Sequence, residues 1–164
     1  VVSIIFTLFP VYASQNLRMP AIQIGSLWAL FGVVRGLLFI PVGSLSDKYG
    51  PKPIIRLGLF GLVVASAGLV VAKEYILLVP VIIVLAAAEG SIYPAVMSIV
   101  SKIGGQTSAY VLGIFNGVVV MLGWGILPPI GGFLADAIRP TLPYFMCALI
   151  SFAALIVLRK LFVK

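Results

Sequence analysis

Six apolar stretches, separated by joins of only a few residues, leave this chain little choice of fold. They cover about 1–16, 21–46, 53–72, 75–101, 107–135 and 141–158. A helix rising 1.5 Å per residue needs about 20 apolar residues to cross a bilayer core. All but the first stretch meet that within tolerance. The first is short, and the chain opens on Val1, so the expectation is a first helix truncated within its length. A signal peptide is the poorer account, because residues 1–16 lack a basic start and another span follows at once. Strong breakers mark the joins: Met19-Pro20, Gly50-Pro51, Gly104-Gly105 and Arg139-Pro140. Such short joins predict antiparallel neighbours along the chain. The expected fold is an all-α integral membrane protein, a six-transmembrane-helix bundle over 1–164 with no soluble domain or linker.

Composition agrees. Hydrophobic residues make up 62% and charged residues only 9%, against about 25% charged in soluble domains. The mean hydropathy is +1.25. Lipid is the solvent these numbers require. Gly32, Gly36, Pro41, Pro80, Pro94, Pro128 and Pro129 fall inside the stretches. They would break soluble helices but are tolerated where neighbouring helices satisfy the freed backbone groups. There is no histidine, and Cys147 is the one cysteine. A disulfide framework, a metal set and the commonest general base are thereby excluded. With four acidic residues besides, a membrane-embedded enzyme is poorly supported. The net charge of +7 is spread over helix ends rather than clustered, which argues against nucleic acid as a partner. No cofactor is expected, and no Walker-type phosphate loop is present.

The bases predict orientation. With alternating spans, one side holds Lys48, Lys52, Arg56, Lys102, Arg159, Lys160 and Lys164, and the other holds Arg18, Lys73 and Arg139. Basic loops are retained in the cytoplasm, so residues 47–56 and the C-terminus are expected there. Tyr12, Tyr49, Tyr75, Tyr110 and Tyr144 fall near stretch ends, as interfacial rings do, whereas Tyr93 lies deeper.

Residues 43–52 read Gly-Ser-Leu-Ser-Asp-Lys-Tyr-Gly-Pro-Lys. Gly43 lets a second helix approach closely. Asp47 can face a helix N-terminus or pair with Lys48, Lys52 or Arg56. Gly50 suits a tight reversal, and Pro51 and Pro53 suit a helix start. Gly43, Asp47, Lys48, Gly50 and Lys52 together resemble the signature loop of the major facilitator superfamily, with Pro51 where that family more often has arginine. The resemblance implies a cytoplasmic latch that stabilises one conformation of a transporter. Gly123, Pro128, Gly131 and Gly132 are similar to the glycine-proline pattern of the fifth helix in family antiporters. Leu127 and Ile114 depart from that pattern, and Gly113 lies one residue out of register. Close packing with a bend at Pro128-Pro129 is the alternative account of these residues.

Two ionisable residues lie deep in the stretches. Arg35 stands about 18 Å of helix from Asp47, and Glu89 about 20 Å from Lys102. They share a depth near the midplane, where an isolated charge costs at least about 2.5–3.5 kcal/mol. A buried Arg35–Glu89 pair is the expected solution, serving either as a structural bridge or as a substrate or proton site. Burial favours the neutral acid and a guanidinium favours the carboxylate; their balance decides whether Glu89 carries a proton. Asn116, Trp28 and Trp124 read mainly as packing residues, Cys147 as core, Gln15 and Asn16 as helix-end residues, and Asp136 as a partner for Arg139 or water.

The whole chain is similar to one six-helix half of a twelve-helix facilitator fold, whose substrate cavity lies between the halves. That implies a secondary active transporter, symporter or antiporter, moving a small-molecule substrate in the cell membrane by alternating access. Its partners would be lipid and the other six-helix half of the same polypeptide. Ala86 stands where the family's fourth helix often has arginine, and this, with the basic tail, favours the C-terminal half. A structural or signalling membrane protein that retains the fold is the alternative.

Overall fold

The computed structural model describes residues 1–161; Lys164, counted above among the basic residues, lies outside them. The described chain is helical apart from its short joins. Helix α1 spans Val2–Gln15, α2 Ala21–Tyr49, α3 Pro51–Val71 and α4 Tyr75–Gly104. A 3₁₀ turn at Gly105–Thr107 leads into α5, Ser108–Ile114, which passes through a π-helical turn, Phe115–Val120, into α6, Met121–Ala137. Helix α7 spans Leu142–Leu161. Among the described residues, four lengths are long and apolar enough to cross a membrane: Ala21–Tyr49, Pro51–Val71, Tyr75–Ala137 and Leu142–Lys160; Val2–Gln15 is shorter. The third length doubles back on itself, because Tyr93 of α4 hydrogen-bonds Asn116, beyond the turn at Gly105.

The breakers act where expected, but the helices run further than hydropathy suggests. α2 continues past Ser46 to Tyr49, and α3 begins at Pro51 rather than Pro53. The decapeptide is therefore helix on both sides of Gly50, which takes φ +81°, a left-handed backbone that glycine adopts without penalty. Pro51 follows as the first residue of α3, where its missing N–H has no partner to lose.

Consecutive helices do touch, and α3 packs most closely on its chain neighbour α4, but the other main contacts join helices that are not consecutive in the chain. α2 lies chiefly against α4, α3 against α4 and α7, and α1 against α6. Small residues select these partners. A Cβ on Gly58 would collide with Ile92 and sit 3.0 Å from the Ala88 carbonyl. One on Gly61 would lie 3.0 Å from Ala88, and one on Gly68 2.8 Å from Val81. α3 thus meets α4 along a glycine-lined seam. The core at this junction holds Leu62, Ala65, Leu69, Leu78, Ile82 and Leu85. A smaller cluster of Ile54, Ile55 and Ala95 packs with Leu158 of α7.

The outer surface is apolar. Ile22, Leu37, Ile40, Leu57, Val71, Ile76 and Phe133 are all exposed, as expected of helices bathed in lipid. Tyr12 and Tyr144 depart from the interfacial pattern. Tyr144 is fully buried, its ring centroid 5.4 Å from that of Tyr12, which is also buried. Cys147 is buried in the core as expected.

Candidate functional site

The deep charges meet. Arg35 Nε of α2 and Glu89 Oε2 of α4 form an ion pair. The contact depends on a residue with no side chain: a Cβ on Gly90 would lie 3.3 Å from the Arg35 carbonyl oxygen and 3.4 Å from its Cα. Gly90 therefore admits the α2 backbone at the point where the charges join.

Each charge brings a ring one helical turn further on, since residues four apart share a helix face. Phe39 follows Arg35 and Tyr93 follows Glu89. The Arg35 Cζ stands 5.3 Å from the Phe39 ring centroid and 5.9 Å from that of Tyr93. Both rings therefore lie within cation–π range of the guanidinium. Tyr93 extends the polar set to the π turn. Its hydroxyl donates to Asn116 Oδ1 at 2.9 Å, and Asn116 Nδ2 donates to the Leu112 carbonyl at 3.0 Å and to Met97 Sδ at 3.5 Å.

The ion pair and Tyr93 border a cavity of about 480 Å³, within the range of small-molecule sites. Arg35, Glu89, Tyr93 and Met97 line it together with Phe6, Phe115, Val120 and Trp124. Behind Phe6 lies an aromatic cluster: its ring stacks on Trp28 at 4.3 Å and meets Phe31 edge-on at 4.9 Å. Trp124, whose sequence context reads mainly as packing, thus stands at the cavity, and Asn116 supports it through its bonds to Tyr93 and Met97. Sequence singles out neither Phe6, Phe39 nor Met97, and marks Tyr93 only by its depth. The signal that locates Phe39, Tyr93 and Met97 is the four-residue step from Arg35 and from Glu89.

The remaining candidates are distributed elsewhere. Asp47, Lys48 and Lys52 are exposed around Gly50, and Lys48 Nζ stands 5.2 Å from the Tyr49 ring centroid. A Cβ on Gly43 would touch nothing within 4 Å among the described residues. In α6, Pro128 and Gly131 are buried. A Cβ on Gly131 would lie 2.9 Å from Leu8, and one on Gly132 3.9 Å from it, so α1 rests there. The space beside Gly113 and Gly123 is open, although the Gly123 carbonyl accepts a hydrogen bond from Ser3 Oγ at 3.2 Å. Asp136, Gln15 and Asn16 line a separate cavity of about 400 Å³ with Tyr12 and Tyr144. Among the described residues, no group of three or more His, Cys, Asp or Glu side chains could hold a metal ion.

Comparison with known proteins places this geometry in context. The family described as Major Facilitator Superfamily matches residues 1–164. An uncharacterized MFS-type transporter of Methanocaldococcus jannaschii is 31% identical over 157 residues, covering 95% of this chain and 40% of that protein. The tetracycline resistance protein, class H, of Pasteurella multocida is 31% identical over 170 residues, covering 96% of this chain and 38% of that protein. The chain thus spans about two fifths of the length of these relatives.

Proposed function

The chain belongs to the major facilitator superfamily, and on that premise we propose that it is one six-helix half of a secondary transporter that moves a small solute by alternating access. The observation that carries this reading is the Arg35–Glu89 pair at the edge of a solute-sized cavity. A purely structural bridge has no need of an adjoining space, whereas a binding site does. Charges within a membrane usually face a partner or a water-filled path, and this pair has both a partner and a cavity. Glu89 is the residue proposed to exchange a proton if transport is proton-coupled.

Asp47, with Lys48, Lys52, Gly43 and Gly50, is proposed as the latch at the cytoplasmic side of the cell membrane, where the basic residues would hold it. The second half of the same polypeptide is proposed to close the cavity. Cysteine accessibility tests the cycle whatever the solute. A cysteine replacing Val120, at the cavity wall, should react with a membrane-impermeant maleimide from either face of the intact protein in oriented vesicles. Labelling from one face only, unchanged by Asp47→Asn, would remove alternating access. Uptake by a stable Arg35→Met/Glu89→Gln double variant then assigns the pair: loss places it in the transport site, and normal uptake makes it scaffold.

A further inference from the structure

The cavity's polar edge and its walls differ in a way that selects among solutes. Charge enters the described lining only at Arg35 and Glu89, and the two offset each other. They are not equally accessible. The Arg35 side chain is 34% exposed and that of Glu89 14%, so the carboxylate is sheltered and the guanidinium is presented. The ion pair engages Nε, the inner nitrogen, and the terminal nitrogens carry the remaining N–H donors. A guanidinium offers N–H donors and no acceptor. The adjoining polar groups are already engaged, since Tyr93 donates to Asn116 and the Asn116 amide donates to Leu112 and Met97.

The rest of the lining is largely apolar, with aromatic rings set among Val2, Leu62, Ile92, Val96 and Val120. Phe6, Phe115 and Trp124 face the cavity. Phe6 and Arg35 also border a recess of about 310 Å³ whose other walls are Trp28, Phe31 and Gly32. Aromatic walls therefore stand on both sides of the guanidinium. The rings nearest to it, Phe39 and Tyr93, already serve that cation. An incoming aromatic cation would meet a like charge first and find the sheltered carboxylate already neutralised. An aromatic solute carrying a carbonyl or carboxylate oxygen would meet matched donors at one end and rings at the other.

We propose that this cavity takes aromatic solutes bearing a hydrogen-bond-accepting oxygen, held by the Arg35 guanidinium, and discriminates against aromatic cations. The proposal rests on the transport reading only in taking the cavity as the solute's site. Three naphthalene probes of similar shape test it on the intact protein in detergent: acetonaphthone, naphthoate and naphthylmethylammonium. The readout is saturable quenching of the tryptophan fluorescence component that disappears in Trp124→Phe. Acetonaphthone and naphthoate should bind at least about ten-fold more tightly than naphthylmethylammonium, a difference of one decade in Kd. Glu89→Gln uncovers the arginine's charge and should favour naphthoate over acetonaphthone by a further factor of about ten. Arg35→Lys keeps the charge but loses the planar fork, so it should weaken both oxygen-bearing probes even where Glu89→Gln fails to fold. Equal or tighter binding of naphthylmethylammonium overturns the proposed solute class while leaving the cavity a ligand site. Absence of Trp124-dependent quenching by all three probes overturns both.

Discussion

The two long faces of α4 show how one apolar composition builds two different environments. Toward α3, Ala88 and Ile92 press against Gly58 and Gly61, and Val81 against Gly68. Toward the cavity, Glu89, Tyr93 and Met97 stand at four-residue steps facing Arg35 and the π turn. Lipid tails are as apolar as leucine, so the hydrophobic effect supplies no preference for one helix over another, and close packing and polar contacts decide which helices adhere. The glycine seam brings backbones together, beneath a recess of about 370 Å³ that Gly58, Gly61 and Ala88 line. The other face carries long side chains joined by an ion pair and hydrogen bonds beside the cavity, and there Gly90 lets the α2 backbone come close. Scaffold and working surface therefore adjoin on one helix, and Ile92 belongs to both, packed at the seam and lining the cavity.

The largest expected effect breaks the contrast on the cavity side. Arg35→Met or Glu89→Gln strands a charge, and because the pair is half-buried the loss should approach but not reach the roughly 3–5 kcal/mol of a fully buried pair. Each should lower the unfolding temperature of the detergent-purified intact protein, and the double variant should partly recover. Strict additivity of the two losses would mean that the pair in the structure contributes no coupling. The seam comes next. Gly58→Ala places a methyl group against Ile92 and the Ala88 carbonyl, an overpacking defect of about 1–3 kcal/mol. Its signature is lost stability with the relative binding of the three naphthalene probes retained. A change in that preference would show that Ile92, which also lines the cavity, carries the defect into the solute site.

Smaller effects sharpen the comparison. Tyr93→Phe removes the donor to Asn116 Oδ1, and the loss of one hydrogen bond amounts to about 0.5–1.5 kcal/mol. The ring beside Arg35 is kept, so probe binding should change less than stability does. Asp47→Asn should change stability least, because the residue is exposed at the end of α2. Its expected readout is a shifted balance of maleimide labelling at a Val120→Cys site between the two faces of the membrane. An unchanged balance would remove the latch and leave an ordinary helix end.

Much of this organisation is legible in the sequence, for physical reasons that differ by residue. Pro20, Gly50, Gly105 and Pro140 end or separate helices through their own backbone chemistry, so local reading places them well. Arg35 and Glu89 are conspicuous because charge is expensive in lipid, and helical rise alone puts them at one depth. Their meeting also needs Gly90, which from sequence is simply another glycine. The preference of α2 for α4 over α3 is equally hidden, since it depends on which small residues face each other across helices distant in the chain. Asn116 and Trp124 read mainly as packing residues because their placement depends on the π turn, for which the segment carries no evident signal. Tyr144 lies near a helix end, as an interfacial ring would, yet a partner at Tyr12 turns it inward.

The π turn has a consequence for angular phase. In an unbroken α-helix, residues advance by about 100° each, so Phe115 and Trp124 would point to roughly opposite sides. Both line the same cavity, and the wider turn at Phe115–Val120 supplies the offset. It acts as a gear tooth in the backbone: the heading of every side chain in α6 is set relative to α5 by this one turn. The buried contact of Gly131 with Leu8 and the cavity wall at Trp124 are thus indexed together, and deleting one residue between Phe115 and Val120 would turn both away from their partners at once.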